Sequence, residues 1–267
     1  MQGAPLRLLL LLACMIGTFV EASAQGQTRG QQGAEGRLPG SAFMSPSTQE
    51  MQRDDSQNPA MLWVQEGEAL WNRNAGRSER SCASCHGEAK SAMRGVAARY
   101  PAMDAQTRRP INLGQRINQC RHQHQQAEPF AAESEPLLSL ESYIALQSRG
   151  MPISPPQDAA LRPHVEQGRQ RWLQRIGQLN MSCAQCHDDN WGKRLGSSPI
   201  PQAHPGGYPI YRLEWQAMGS LQRRLRNCMN GVRAQPYAFG AQEMVELELY
   251  LAERARGMPL EAPGVRP

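Results

Sequence analysis

Four stretches of the chain carry apolar residues at helical spacing, and they form two pairs. The first pair covers 60–72 and 136–149, and the second covers 162–177 and 242–256. Apolar positions that recur every three or four residues predict amphipathic helices. Gly150 and Gly257 then stand where a helix C-cap needs positive φ. Strand signals are few, so we predict a mainly α fold with few strands.

The two pairs of predicted helices belong to a longer internal duplication. Its matched segments keep their order, with offsets of 101 residues before the middle of each repeat and 107 or 108 after it. They are Gly67 with Gly168, Trp71 with Trp172, Tyr100-Pro101 with Tyr208-Pro209, and Gly150-Met151-Pro152 with Gly257-Met258-Pro259. The offset grows in the middle of the repeat, where a loop tolerates insertion. We therefore predict two tandem domains, 57–154 and 155–267.

The residues before the first repeat predict a signal peptide for export and then a flexible segment. Residues 1–24 read as a signal peptide, with Arg7 before a short apolar run and Ala22-Ser23-Ala24 as a cleavage site. We therefore expect the protein in the periplasm, with lipidation at Cys14 as a second interpretation. Residues 25–56 are rich in Gly, Gln and Ser and predict a flexible arm. No other apolar stretch is long enough to predict a membrane span.

Composition narrows the class of protein. Aromatic residues make up only 6% of the chain and the mean hydropathy is −0.60, so side chains alone offer little apolar mass for a core. Buried cofactors would supply the missing volume. The net charge is +5, but basic and acidic residues are intermixed, which argues against nucleic-acid binding. The excess of arginine over lysine favours binding of small anions.

The pentapeptide Cys-x-x-Cys-His occurs twice, at 82–86 and 183–187. This motif attaches c-type haem through two thioethers, and the histidine binds the iron. We therefore predict two covalently bound haems. Their predicted attachment residues are Cys82, Cys85, Cys183 and Cys186, and the proximal iron ligands are His86 and His187. Two unrelated metal or disulfide sites are the alternative. Paired helices around a haem resemble the class I cytochrome c fold, so we expect two such domains.

The second axial ligand is predicted to be a cysteine in each domain. Cys120 and Cys228 lie between the haem motif and the last helix, 108 residues apart in the repeat. Thiolate ligation lowers the haem potential, which favours sulfur chemistry or a structural haem over simple electron transfer. A Cys120–Cys228 disulfide is one alternative, since the periplasm is oxidising.

Methionine and histidine side chains are alternative candidates for the second axial ligand. Met151 and Met258 are matched, but they follow the last helix of each repeat and are expected to pack there. Met103 and Met218 lie in the loop region at unmatched positions. His122 and His124 could rival Cys120, although we expect them, like His164 and His204, to be solvated.

The segment around Cys228 resembles the SoxA family, the larger haem subunit of SoxAX cytochromes. The similarity rests on Gln-Arg-Arg-Leu-Arg-Asn-Cys at 222–228 and Gly-Val-Arg-Ala-Gln-Pro-Tyr at 231–237, and it extends over about 58–260. Residues 115–121 resemble the dihaem members of that family. In the family, the cysteine matching Cys228 is a haem ligand found as a persulfide, and the arginine matching Arg224 contacts substrate.

The resemblance implies a haem-dependent L-cysteine S-thiosulfotransferase. Such an enzyme joins thiosulfate oxidatively to a cysteine of the SoxYZ carrier, and electrons pass through haem to a c-type cytochrome. It implies a monohaem SoxX subunit as partner and Cys228 as the catalytic residue. A dihaem thiosulfate dehydrogenase forming tetrathionate, or a dihaem electron-transfer cytochrome c, is the alternative.

Arginines distinguish the two distal cysteines. Arg223, Arg224 and Arg226 precede Cys228, and a planar fork of donors suits a small dianion such as thiosulfate. Arg116 also stands four residues before Cys120, so this position could instead serve a haem propionate or the fold. We expect the first haem, which lacks the basic cluster, to be structural or a relic.

Overall fold

The computed structural model describes residues 1–2 and 36–267. The rest of the predicted signal peptide and Cys14 lie outside the described residues. Among the helices of the described ranges, none combines the length and apolarity needed to cross a bilayer.

Helices form most of the regular structure, and two repeats follow a short N-terminal helix, α1 (Pro46–Arg53). The elements of the first repeat are α2 (Ala60–Asn72), α3 (Cys82–His86), α4 (Ala89–Ala92), β1 (Ala102–Met103), β2 (Pro110–Ile111), α5 (Leu113–Cys120) and α6 (Glu135–Leu146). A π-helical turn, Arg121–Gln125, follows α5. The predicted mainly α architecture is confirmed.

The second repeat keeps this order of helices but has no described counterpart of α4. Its elements are α7 (Arg162–Leu173), α8 (Cys183–His187), β3 (Arg194–Leu195), β4 (Ser198–Pro199), β5 (Ile210–Arg212), β6 (Ala217–Gly219), α9 (Leu221–Gly231), α10 (Gln242–Arg254) and β7 (Gly264–Arg266). The strands pair β1 with β2 and β3 with β4 in antiparallel hairpins, while β5 lies between antiparallel β6 and parallel β7. Helix α7 ends four residues before the predicted 177.

The two long helices of each repeat cross at a glycine. A Cβ added at Gly67 would lie 2.1 Å from the Ser139 carbonyl oxygen, and one added at Gly168 would lie 2.1 Å from that of Glu246. Any side chain would therefore push α2 from α6, or α7 from α10. This close approach explains why the sequence places glycine at both matched positions.

Each repeat builds its own apolar core from matched positions. The core of the first repeat includes Trp71, Ile117, Leu137, Leu140 and Ile144, and that of the second includes Trp172, Leu225, Met244, Leu247 and Leu251. The members are supplied by the crossing helices and the helix that bears the distal cysteine. Each distal cysteine is therefore held on a helix anchored in its own core.

The matched Gly-Met-Pro segments pair with each other across the two repeats. The Ile153 amide donates to the Met258 carbonyl at 2.8 Å, and the Gly257 amide donates back to the Ile153 carbonyl at 2.8 Å. The Leu260 amide donates to the Met151 carbonyl at 2.9 Å. An apolar cluster that both repeats supply surrounds this pairing. The division at 154–155 stays a prediction, since these segments join the repeats.

The predicted flexible arm is wrong for residues 36–56. Helix α1 lies there, and the Gln52 Oε1 accepts from the Val265 amide at 3.0 Å. Arg37 donates to the Arg254 carbonyl at 3.1 Å. These contacts join polar side chains to backbone groups of the C-terminal segment, so they leave no apolar period in the sequence. The part of the arm before residue 36 lies outside the described residues.

Candidate functional site

Each Cys-x-x-Cys-His motif forms a single helical turn with a serine cap. In α3 the Ser81 hydroxyl accepts from the Ser84 amide at 3.0 Å. In α8 the Ser182 hydroxyl accepts from the Gln185 amide at 3.2 Å, and the Ser182 amide donates to the Gln185 Oε1 at 2.9 Å. Such caps fix where a helix begins. Both thiols and the histidine are thus presented on one short, defined turn.

A tryptophan from the preceding long helix packs against each motif histidine. The Trp71 and His86 rings lie 5.7 Å apart, and so do the Trp172 and His187 rings. The angles between the ring planes are 35° and 31°. The two predicted haem sites therefore share one scaffold.

The orientation of His187 is fixed by a backbone carbonyl. Its Nδ1 lies 2.7 Å from the Pro201 oxygen, so Nδ1 carries the proton and Nε2 keeps its lone pair for a metal. Burial lowers the pKa of His187, which favours this neutral form. Pro201 lies between the motif and Tyr208, the stretch over which the repeat offset grows from 101 to 108 residues. His86 is exposed and has no hydrogen-bond partner among residues 36–267.

The distal cysteines face the haem motifs of their own repeats. Cys228 raises the pKa of both Cys183 and Cys186, although burial is the larger cause at each thiol. Cys120 acts on Cys82 in the same way, again after burial. The cysteines of the described ranges are free thiols, so the alternative of a Cys120–Cys228 disulfide is wrong in this structure.

These residues fit a covalently attached haem in each repeat. Two thiols are available for thioethers, and a histidine follows them beside a tryptophan ring. In the second repeat the histidine also holds its Nε2 free for iron. A distal thiol faces the motif in both repeats, which fits the predicted His/Cys ligation.

The alternative methionine ligands have structural roles. Met258 is 8% exposed and packs in the apolar cluster between the repeats, and the buried Met218 contacts Ala60. The methyl end of Met151 lies against Gly95. The sequence expectation that the matched methionines pack at the helix ends agrees with this arrangement.

The histidines outside the motifs divide into two groups. His122 and His124 are exposed, as expected. His164 and His204 are not, so the expectation that they are solvated is wrong for both. His164 Nδ1 pairs with Glu246 Oε1 at 2.7 Å, and burial lowers the pKa of His204 to about 4. Within the described part of the chain, neither His164 nor His204 makes a hydrogen bond or ring contact with a distal cysteine.

The arginines near Cys228 have different surroundings. Arg223 stacks over the Trp215 ring at 4.2 Å, and Arg226 lies over the Phe239 ring at 4.6 Å. The Arg224 side chain, one helical turn before Cys228, has no hydrogen bond or ion pair to any described residue. It nonetheless acts electrostatically on His187 and Tyr208. Its guanidinium is therefore available to a ligand.

Residues that the sequence reasoning passed over also line this region. The sequence marks Tyr208 only through its match with Tyr100 in the repeated Tyr-Pro pair. Burial raises the pKa of its hydroxyl and the Cys228 sulfur adds to the rise, while the Arg224, Arg266 and Arg212 guanidiniums oppose it. The repeat offset of 108 residues matches Arg212 with Asp104. That change of charge is a signal the sequence carried.

Comparison with known proteins gives one consistent family. The SoxA/TsdA cytochrome c domain family matches residues 66–153 and 167–260. The L-cysteine S-thiosulfotransferase subunit SoxA of Pseudaminobacter salicylatoxidans is 39% identical over 86% of this chain and 80% of its own length. SoxA of Paracoccus pantotrophus is 35% identical over 84% and 77%. A crystal structure of SoxXA from P. pantotrophus matches with a TM-score of 0.83 at 35% identity, over 86% of this chain and 87% of that one.

Proposed function

The chain belongs to the SoxA/TsdA cytochrome c family, and we propose that it acts as an L-cysteine S-thiosulfotransferase of the SoxA type. The predicted tandem cytochrome c fold is confirmed by this membership and by the match to SoxXA. A cytochrome c domain binds haem covalently, so haem is its cofactor. Two haems per chain, attached at the two motifs, are part of the proposal.

The observation that carries the proposal is the position of Arg224 one helical turn before Cys228 on α9. The two side chains stand one turn apart on α9, and the guanidinium has no partner within the described residues. Cys228 faces the second haem motif through Cys183 and Cys186. A nucleophilic sulfur beside an available cation suits a substrate that is both a dianion and a sulfur donor.

The reaction has two steps: oxidative formation of an S–S bond, and then a thiol exchange. The Cys228 thiolate and the terminal sulfur of thiosulfate form an S–S bond, and two electrons leave the pair. The carrier's cysteine thiolate then attacks the terminal sulfur, which releases the Cys228 thiolate and leaves the carrier as S-thiosulfonate. Arg224 holds the sulfonate group through both steps. Haem, when bound, supplies the one-electron redox chemistry that removes the electrons.

The partners follow from the same assignment. We propose a SoxX-type monohaem subunit as permanent partner, a SoxYZ-type carrier as protein substrate, and a c-type cytochrome as electron acceptor. Support comes from the SoxXA complex to which the chain is similar. The periplasm is the proposed location, because the motifs and the predicted signal peptide both belong to exported cytochromes.

The first test replaces Cys228. We expect Cys228→Ala to abolish thiosulfate-dependent reduction of an acceptor cytochrome, because no sulfur remains to join the substrate. The assay contains the haem-loaded protein, its SoxX-type subunit and the carrier. Arg169→Gln is the control, since Arg169 is exposed and paired only with Glu166 on α7. Retained activity in Cys228→Ala, or tetrathionate formed without a carrier, would contradict the proposal.

The haems are tested separately from turnover. We expect two haems per chain by haemochrome spectroscopy and intact mass. Low-temperature EPR of the ferric protein should show low-spin signals with a narrow spread of g values, because both irons are expected to bind thiolate. A broad spread typical of His/Met ligation at both haems would contradict Cys120 and Cys228 as ligands, and would favour a plain electron-transfer cytochrome.

A further inference from the structure

The strand hairpin before each distal helix is built alike in the two repeats. In the first hairpin the Asp104 amide bonds the Arg109 carbonyl at 2.9 Å, and in the second Arg212 stands opposite Ala217. The turn residue Arg108 has φ 55°, and its counterpart Gln216 has φ 49°. Asp104 and Arg212 therefore occupy the same place on the same frame, with opposite charge.

In the first repeat this place holds an anion that belongs to the protein. Asp104 is 1% exposed, and its Oδ1 pairs with Arg116 Nη2 at 3.2 Å. Its other oxygen accepts from the Thr107 amide and hydroxyl at 2.9 and 2.8 Å. The Arg116 Nε donates to the Tyr100 hydroxyl at 3.2 Å. The guanidinium one turn before Cys120 is thus already neutralised.

In the second repeat the matching arginine has no such partner. Arg224 replaces Arg116 and Tyr208 replaces Tyr100, but Arg212 stands where the carboxylate would be. The Arg212 side chain is 15% exposed, and its Nη2 pairs with the exposed Glu214 at 2.7 Å. Its buried Nε has no hydrogen-bond partner in the part of the chain that the structure describes. The Arg224, Arg266 and Arg212 guanidiniums all act on the Tyr208 hydroxyl. Of these, Arg266 is already paired with the Glu261 carboxylate at 3.0 Å.

On the basis of the proposed function, we propose that Arg212 is a second cationic group that binds thiosulfate beside Arg224. In the first repeat, the Asp104 carboxylate takes the place of a bound anion and prevents thiosulfate from binding there. A dianion needs two positive groups to be desolvated favourably, and Arg212 still has an unused buried donor. The same hairpin therefore allows an anion to bind in the pocket of the second repeat and prevents it in the first.

The first arm of the test measures turnover. Arg212→Gln removes the charge, and Arg212→Asp installs the residue of the first repeat. We expect the KM for thiosulfate to rise about tenfold or more in the first variant and about a hundredfold in the second, because a charge-assisted hydrogen bond is lost. We expect kcat to change by less than about threefold, since Cys228 is untouched. The matched control is Arg169→Gln, and haem content is checked in every variant. An unchanged KM in Arg212→Asp would overturn the proposal.

The second arm measures thiosulfate binding by calorimetry on the oxidised complex without carrier. We expect one thiosulfate per wild-type chain, none in Arg212→Asp and two in Asp104→Arg, which gives the first pocket a second cation beside Arg116. Should Asp104→Arg fail to fold, Arg116→Gln is expected to leave binding unchanged whereas Arg224→Gln removes it. Two sites in the wild type, or binding that ignores Arg212, would overturn the inference. Binding that depends on Arg212 in a protein that conjugates nothing would refute the proposed function and leave the inference standing.

Discussion

Trp172 is tied to the second haem motif by its indole nitrogen, which donates to Asp188 Oδ2 at 2.7 Å. The other carboxylate oxygen pairs with Arg254 at 2.7 Å, and the Arg254 guanidinium covers the Trp172 ring at 4.6 Å. In the first repeat a backbone carbonyl, that of Gly87, accepts from the matching indole at 3.0 Å. One carboxylate therefore holds the ring that packs on His187.

Removing that carboxylate should loosen the motif. We expect Asp188→Ala to lower the free energy of unfolding by about 1–3 kcal/mol, because the buried indole N–H loses its acceptor. Asp189→Ala is the matched control, since the Asp189 side chain bonds no described residue. Both variants are compared with wild type by urea unfolding of the haem-loaded protein. Equal effects from the two substitutions would contradict this role for Asp188.

The crossing of the long helices sets the geometry at the scale of elements. Gly67 and Gly168 let α2 and α7 approach the backbones of α6 and α10, and these helices also carry the tryptophans that pack on the motif histidines. A shift of either crossing would therefore move a tryptophan ring. Helix packing and haem surroundings are coupled through one residue in each repeat.

A methyl group at one crossing tests this coupling. We expect Gly168→Ala to destabilise the protein by about 1–3 kcal/mol despite the better helix propensity of alanine, because its Cβ would meet the Glu246 carbonyl at 2.1 Å. Gly231→Ala is the control, since a Cβ there meets no atom within 4 Å. Thermal unfolding gives the comparison. A Gly168→Ala protein as stable as wild type would show that the helices can separate without cost.

How far the sequence predicts the fold depends on the kind of contact. Periodicity located α2 at 60–72 without error, because its stability depends on a buried apolar face. Strands of two or three residues are too short to show alternation, so none was located. The order in residues 36–56 depends on side chains bonding distant backbone, as Gln52 does with Val265, and such contacts leave no local pattern.

The sequence predicts the site residues that belong to a short motif. It predicts less well those whose role depends on a partner that the fold brings near. The two pentapeptides directly mark the cysteines and histidines that we propose as haem attachment sites and ligands. The matched Arg116 and Arg224 looked equivalent in sequence, because the difference lies in a third residue, Asp104 or Arg212, brought near by a hairpin. The carbonyl that orients His187 has no side-chain signature at all.

At the scale of the whole molecule, the two repeats line a partly open, mostly apolar cavity of about 300 Å³. The matched acids Glu141 and Glu248 line it, one from each repeat. The Asn112 and Gln222 amides donate to Glu248 at 3.0 and 3.1 Å. Burial raises the pKa of Glu141 to about 8, and Glu248 and Glu133 add to the rise; burial also raises the pKa of Glu248 to about 7. Glu141 therefore keeps its proton at neutral pH, whereas Glu248 is about half protonated there.

This pair should make stability depend on pH. A carboxyl whose pKa is higher in the folded protein than in the unfolded chain binds its proton more tightly when folded. Between about 4.5, the ordinary value, and about 8, the folded protein then binds more protons, so the free energy of unfolding falls as pH rises. The stabilisation is complete below that window and lost above it.

Glu141→Gln isolates the effect, because the amide keeps the shape of the protonated acid and cannot ionise. We expect the variant to be more stable than wild type at pH 8.5 by about 1 kcal/mol or more and to lose less stability between pH 5.5 and 8.5. Urea unfolding at both values measures this, with Glu135→Gln, exposed on the same helix, as control. Parallel pH profiles for Glu141→Gln and wild type would mean that Glu141 is ionised in the folded protein. The repeats would then be joined across a charged cavity instead of a protonated one.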